Sequence, residues 1–318
     1  MQHNYTYVAF LIYCFYYDCA ILHIQQVTPY RPRLPEDTIP SRVHDDERLI
    51  AMWLHGKAEN TRDAYFRDML AFTAFVDKPL PHIGLEDLQA FAGSLAGYRA
   101  STRARKLSSI KSLLAFGHRL GYLAVNVGAV IKAPPVKDTL SERILDENDL
   151  MAIIRAEPNP RNHLILELLY KSGVRVSELC ALAWRDVRPR KSTLQLTIFG
   201  KGGRTRVILL PSSISERLRG SKGSAAPDDP VFRSAAGGAL HRSQVYRIVR
   251  SAALRCGVNA SVSPHWFRHA HASHALDHGA PTHLVQQTLG HSSLATTGRY
   301  THARPSESSA LYLADHAG

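Results

Sequence analysis

Past residue 40 the apolar residues of this chain recur with helical spacing almost throughout, and they alternate in one stretch, Thr193–Phe199. That contrast restricts the fold to a mainly α protein carrying a small antiparallel β-hairpin. Leu49, Ile50, Trp53 and Leu54 form one stripe, and Tyr65, Phe66, Met69, Leu70, Phe72 and Phe75 form a second. Thr61 is the expected N-cap of the second helix, which should stop near Lys78-Pro79. A third helix is expected over Leu85–Leu95. A fourth runs from Ser101 to about Leu120, closed by Gly121, with Leu107, Ile110, Leu113, Leu114 and Phe116 on one side. Four such helices pack as a bundle.

Ala133-Pro134-Pro135-Val136-Lys137 is the best linker in the chain, and 318 residues suffice for a core on each side of it. Beyond it, Leu145–Leu150 reads as a helix start with acids in its first turn, and Leu164–Tyr170 as a buried helix ending at Ser172-Gly173. The hairpin pairs Thr193–Phe199 with Arg206–Leu210 across Gly200-Lys201-Gly202-Gly203. From His241 onward the pattern is helical again. The expected organisation is an extension over 1–40, a helical-bundle domain over 41–132, a linker over 133–140 and an α+β domain over 141–318.

The extension is apolar and aromatic from Tyr7 to Tyr17, broken by Asp18, and then proline-rich from Thr28 to Pro40. A spanning helix needs about 20 apolar residues, and a signal peptide needs a basic start and a small-residue cleavage site. The segment fits neither pattern, so no stable membrane partner is expected. Cys14, Cys19, Cys180 and Cys256 form no CxxC pair and read as reduced thiols of the cytoplasm.

Net charge is +12, from 39 Lys+Arg against 27 Asp+Glu. Its distribution matters more than its size. Ser101–Lys137 holds seven Lys/Arg and no carboxylate; Val231–Leu276 holds six Arg and no carboxylate. Solvated helix faces usually mix both signs, so acid-free stretches point to a polyanion, nucleic acid first. Arg103, Arg105, Lys106 and Lys111 in the first stretch, with Arg242 and Arg247 in the second, are the candidate DNA-binding residues. His274 and His278 have the i, i+4 spacing of a metal pair, but no His-Glu-x-x-His and no cluster of Cys or carboxylate joins them. No metal and no other cofactor is predicted.

Several charged residues stand at structurally marked positions. Arg175 begins a helix after the Gly173 break, with Glu178 three residues on. Lys201 sits at the hairpin tip, and His265 and Arg268 share a helix face at i, i+3. His291 follows Leu289-Gly290 at an expected helix start, and Tyr300 closes the set just after a short polar helix. Each alone reads as an ordinary surface or core residue. In this order, the segments Ser172-Gly173-Val174-Arg175-Val176-Ser177-Glu178-Leu179, Gly200-Lys201-Gly202, His265-Trp266-Phe267-Arg268-His269, Leu289-Gly290-His291-Ser292-Ser293 and Tyr300-Thr301-His302 resemble the catalytic domain of the tyrosine recombinase (phage integrase) family, in its two-domain, Xer-like form. The helical unit from Ser41 resembles the family's core DNA-binding domain. Phe267 stands where Leu is usual, Ala270 where Thr is common, and Asn126-Val127-Gly128-Ala129 where Asn-Pro-Ala is frequent. None removes a reacting group. Gly298, two residues before Tyr300, is expected to loosen the helix that carries it.

The resemblance implies site-specific cleavage and rejoining of double-stranded DNA by a tetramer on two sites, built from copies of this chain or with a related recombinase, through a 3′-phosphotyrosyl link to Tyr300. Arg175, Arg268 and His291 would face the phosphate, and His265 would receive the tyrosine proton. Lys201 would protonate the leaving 5′-oxygen, with Glu178 in support. Two other functions use parts of the same set: a type IB topoisomerase-like enzyme without partner exchange, and a non-catalytic DNA-binding regulator. The two-domain layout disfavours the first, and the complete residue set disfavours the second. The tail Pro305–His316, with Leu311, Tyr312 and Leu313, reads equally as docking on a neighbouring subunit or packing on its own domain.

Overall fold

A computed structural model describes residues 45–200, 203–258, 261–291, 293, 296–298 and 300. The apolar extension, Lys201 and the tail beyond Tyr300 lie outside the described residues. The fold divides into two compact units, Met1–Lys137 and Asp138–Gly318.

The first unit is built from α1 (Asp46–Leu54), α2 (Glu59–Val76), α3 (Leu85–Ser94) and α4 (Ala100–Arg119). Asp45 caps α1 by accepting from the Arg48 backbone N–H, which satisfies one of the orphan donors of the first turn. Leu49, Ile50, Trp53 and Leu54 are all buried, against Met69 and Phe72 of α2, Leu88 of α3 and Ile110, Leu113 and Leu114 of α4. Helix α2 starts two residues before Thr61, with Ala58 at its N-cap, so the expected Thr61 cap is not used. Phe75, expected in the core stripe, is about half exposed and packs edge-on against Phe91. Its position on the final turn of α2 carries it past the bundle's edge.

The second unit holds α5 (Glu147–Arg155), α6 (Pro160–Ser172), α7 (Val176–Ala181), β1 (Val187–Arg190), β2 (Thr193–Phe199), β3 (Thr205–Leu209), α8 (Ser212–Lys222), α9 (Arg242–Arg255), α10 (Pro264–Asp277) and α11 (Thr282–Leu289). Helix α6 is its hub. Asn159 caps it, Pro160 occupies the first turn where no N–H is needed, and Leu164, Ile165, Leu166, Leu168 and Leu169 are buried nearly all round. The sheet is antiparallel in the order β1-β2-β3, with Leu196 opposite Ile208 and both buried. Strand β1 was not expected: Val187-Arg188-Pro189-Arg190 lacks an apolar alternation. A proline costs little at an edge, where its missing N–H faces away from the ladder. Helix α8 was likewise not read from the sequence.

Candidate active site

Helix α6 ends at Gly173, whose φ of +59 is a left-handed cap that glycine adopts at no steric cost. A Cβ here would stand 2.7 Å from Leu289 Cδ2 and 2.8 Å from His271 Cδ2, so two neighbouring elements close directly on the bare backbone. Two residues later Arg175 forms the N-cap of α7. Its backbone N–H donates to Glu178 Oε2 at 2.7 Å and its Nη1 donates to Oε1 at 2.9 Å.

Glu178 also accepts from a second arginine that the sequence reading missed. Arg206 of β3 donates from Nη1 to Oε1 at 2.9 Å and from Nη2 to Oε2 at 2.7 Å, while its Nε donates to the Thr288 carbonyl at 2.7 Å. Burial by itself raises the Glu178 carboxyl; the hydrogen bonds from Arg206 and Arg175 outweigh it and hold the group below its ordinary value. Gly290, in the left-handed region at φ +65, gives Arg206 its path: a Cβ there would meet Arg206 Cδ at 3.1 Å. The signal for Arg206 was positional, since it falls on the same strand face as buried Ile208.

Arg268 is only 2 % exposed on α10. Its Nη1 donates to the Gly173 carbonyl, and its Nη2 donates to the Leu289 carbonyl at 2.7 Å. Two of five guanidinium N–H bonds are thus tied to backbone on either side, which fixes the plane of the fork. Burial, and after it the neighbouring Arg175 charge, lower this guanidinium to about 10, so it remains protonated at neutral pH.

His291 follows the C-cap glycine of α11 and precedes the helical backbone over 296–298. Its Nδ1 pairs with Thr297 Oγ1 at 2.9 Å. Burial first, then Arg268, Arg175 and Arg206, push its pKa down to about 4, which leaves a neutral imidazole. His265 is also lowered, by burial and then by Arg268, Arg175 and Arg143. Arg143 is a second cation that the sequence reading overlooked.

Tyr300 lies within helical backbone and is 6 % exposed. Its ring is parallel to that of His291, with centroids 6.3 Å apart. The imidazole on its hydroxyl is His269, with Nδ1 to Oη at 2.8 Å, and not His265. His265 instead meets His269 edge-on at 4.3 Å between centroids. Both histidines lie on one face of α10 at i, i+4, so helical spacing alone did not distinguish them. Gly298 is helical too, and a Cβ there would meet nothing within 4 Å.

Arg175, Arg204, Arg206, Gln286 and His291 line a cleft of about 690 Å³. Arg268 and Tyr300 are buried and do not line it. The structure thus gathers Arg175, Glu178, His265, Arg268, His291 and Tyr300 in one region, with the Arg175 and Arg206 guanidinium groups on a single carboxylate and that of Arg268 held nearby by two backbone carbonyls. That surplus suits a phosphate, whose oxygens accept from planar donor forks.

The candidate DNA-binding residues fare differently. Arg105 donates to Asp68 through both Nη1 and Nη2, and Lys106 reaches the same carboxylate at 3.3 Å. Asp68 is buried on α2, so the acid-free look of α4 is a property of its sequence and not of its surroundings. Lys111 is spent on the Ile131 carbonyl at 2.6 Å. The Arg103 Nε is buried without a hydrogen-bond partner. Arg242 and Arg247 are exposed on α9, with no ion pair among the described residues. His274 does not pair with His278: its ring bridges Tyr170 Oη and the Leu145 carbonyl, at 3.0 and 2.9 Å, while His278 lies 3.3 Å from Glu147.

Residues 143–307 match the phage integrase family, and residues 50–121 match the phage integrase N-terminal SAM-like domain. Tyrosine recombinase XerD of Pseudomonas aeruginosa is 34 % identical over 289 residues, 85 % of this chain and 96 % of that one. Tyrosine recombinase XerC of Xylella fastidiosa is 33 % identical over 289 residues, covering 87 % and 97 %. Among solved structures, a lambda integrase dimer bound to a COC′ core site superposes with a TM-score of 0.68 at 20 % identity, covering 83 % of this chain and 79 % of that one. A lambda integrase tetramer bound to a Holliday junction gives 0.68 at 19 %, covering 82 % and 77 %. The recombinases it matches over most of its length make this chain an enzyme that transfers DNA strands. The chain belongs to the phage integrase family of tyrosine recombinases. Its activity is site-specific DNA recombination.

Proposed function

We propose that this recombinase cuts and rejoins double-stranded DNA by attack of Tyr300 on a backbone phosphate, forming a 3′-phosphotyrosyl link and freeing a 5′-hydroxyl. One observation carries the reading: Arg175 and Arg268, from two helices, are locked by Glu178 and by the Gly173 and Leu289 carbonyls beside the buried Tyr300. Attack on a phosphodiester builds negative charge on the non-bridging oxygens, and preorganised guanidinium groups offset it without reorganising at the moment of reaction. His291 and His265, neutral at physiological pH, each offer a ring N–H to the same oxygens. Glu178 orients Arg175. Lys201, on the β2–β3 connection, protonates the leaving 5′-oxygen. With charge supplied this way, no metal or other cofactor takes part.

The unit over 41–132 serves as the core DNA-binding domain and the unit over 141–318 as the catalytic domain, joined by the linker 133–140. Arg103, Arg105, Lys106, Lys111, Arg242 and Arg247 meet phosphates of the same duplex. The working form is a homotetramer on two DNA sites, a reading supported by the lambda integrase assemblies among its structural neighbours. The enzyme works in the cytoplasm. No helix among the described residues is long and apolar enough to cross a membrane. A topoisomerase-like role without strand exchange is not favoured by the recombinases it matches.

Incubation with target-bearing DNA should give protein–DNA adducts that survive denaturant. Tyr300→Phe should abolish them while sparing binding, and adducts persisting in that variant would remove Tyr300 as the nucleophile. A chelator should leave the yield unchanged.

A further inference from the structure

Once Tyr300 attacks phosphorus its phenolic proton has to leave, because a free phenol ionises only near pH ~10. The acceptor must lie within hydrogen-bond reach of Oη, and among the described residues one imidazole does: His269, with Nδ1 at 2.8 Å. Both partners are buried, His269 at 8 % and Tyr300 at 6 % exposure. His269 is also the residue after Arg268, on a helix whose Arg268 side chain is pinned at two carbonyls. One stretch of helix backbone therefore carries both the phosphate fork and the imidazole that meets the tyrosine.

We infer that His269 is the proton acceptor for Tyr300 in strand cleavage and the donor that returns the proton in rejoining. The inference rests on Tyr300 being the nucleophile. With its ring proton on Nε2, His269 accepts the Tyr300 O–H at Nδ1. In cleavage the Oη–P bond forms, the bond from phosphorus to the 5′-oxygen breaks, and the phenolic proton passes to Nδ1. The leaving 5′-oxygen takes a separate proton from Lys201 or water. Rejoining reverses each transfer, so no proton is consumed over a full cycle at His269.

His265, assigned this task by motif order, is poorly suited to it. It faces Arg268, Arg175 and Arg143, and a fourth positive charge beside three guanidinium groups is disfavoured. Among the described residues, the charged and titratable groups around His269 are His265 and Arg268 on its own helix, Tyr300 tilted against its ring, and His291 across the Tyr300 ring.

The test uses a duplex selected by binding from a random-sequence pool, with the cleaved phosphate located by the wild-type enzyme. It is then synthesised with either oxygen or bridging sulfur at the leaving 5′ position. Sulfur leaves without needing a proton, so it separates leaving-group assistance from activation of the nucleophile. His269→Ala should bind DNA normally and form adduct about 10²–10⁴-fold more slowly on both substrates. His269→Asn, which keeps an acceptor for the hydroxyl but takes no proton, should be equally slow. Added imidazole should restore part of the His269→Ala rate, and that variant's rate should climb with pH where the wild-type rate is level. Tyr300→Phe must give no adduct on either substrate; adduct there removes the nucleophile reading, and the base assignment with it. With Tyr300→Phe inactive, three results overturn His269 alone: a wild-type rate in His269→Asn, restoration of His269→Ala by sulfur, or faster cleavage by His269→Ala, which would make the contact a latch.

Discussion

Arg206 grips both carboxylate oxygens of Glu178, across 28 positions of sequence, at 2.9 and 2.7 Å. Arg175 shares the same carboxylate, so a strand residue and a helix cap are oriented by one acid. Glu178→Gln should leave the 9 % exposed Arg206 side chain without its countercharge. Breaking such a pair costs about 3–5 kcal/mol. Urea unfolding should show a loss of that order, and adduct formation should fall together with it. The depressed Glu178 carboxyl contributes its stabilisation fully above its ordinary value of 4.5 and loses it as pH falls through the lower folded value.

Gly173→Ala should be severe for a residue that carries no side chain. Left-handed backbone costs an alanine about 1–2 kcal/mol, and overpacking adds about 1–3 kcal/mol. The added methyl would meet Leu289 and His271 at under 3 Å. Because the Gly173 carbonyl holds Arg268, cleavage should drop even below the unfolding temperature. A folded variant with a wild-type cleavage rate would show that the Arg268 anchor is dispensable.

Histidine burial makes stability pH-dependent on the acid side. His271 and His291 are both pushed down to about 4 from 6.5, each first by burial. Between those values the unfolded chain binds protons that the folded chain refuses. Stability should therefore be complete above about pH 6.5 and fall as pH drops toward 4. At full slope each group contributes about 1.4 kcal/mol per pH unit. Denaturant titrations from pH 7 to 4.5 should show the decline, and His271→Asn should reduce its slope by up to one proton.

Salt dependence separates the basic residues of α4. Each phosphate neutralised contributes a slope of about 0.9 to the fall of log K with log salt. Arg103→Ala should lower the measured slope by about one contact. Arg105→Ala should lower it by less, because Asp68 already holds that guanidinium. Equal effects would mean that DNA displaces Asp68 from Arg105.

The helices of the bundle were legible because a period of 3.6 marks a buried face with no knowledge of the partner: Leu49, Ile50, Trp53 and Leu54 all face the core. The hairpin was legible for the matching reason, a period of two with Leu194, Leu196 and Ile198 inside. Strand β1 was not, since its pairing with β2 comes from backbone hydrogen bonds that any residue except an inward proline can make. The segments that carry Arg175, Arg268, His291 and Tyr300 could be picked out because their order and local contexts are specific.

By itself the sequence determined which groups are available: the arginines, the histidines and one tyrosine, each on an element set by local periodicity and glycine breaks. Tertiary structure decided which of them meet. It put His269 rather than His265 on the Tyr300 hydroxyl, brought Arg206 to Glu178, and set buried Asp68 against the basic side of α4. Hydrogen bonds and ion pairs act over about 3 Å. Contacts of that range between residues tens of positions apart depend on how helices and strands pack, which no local pattern records.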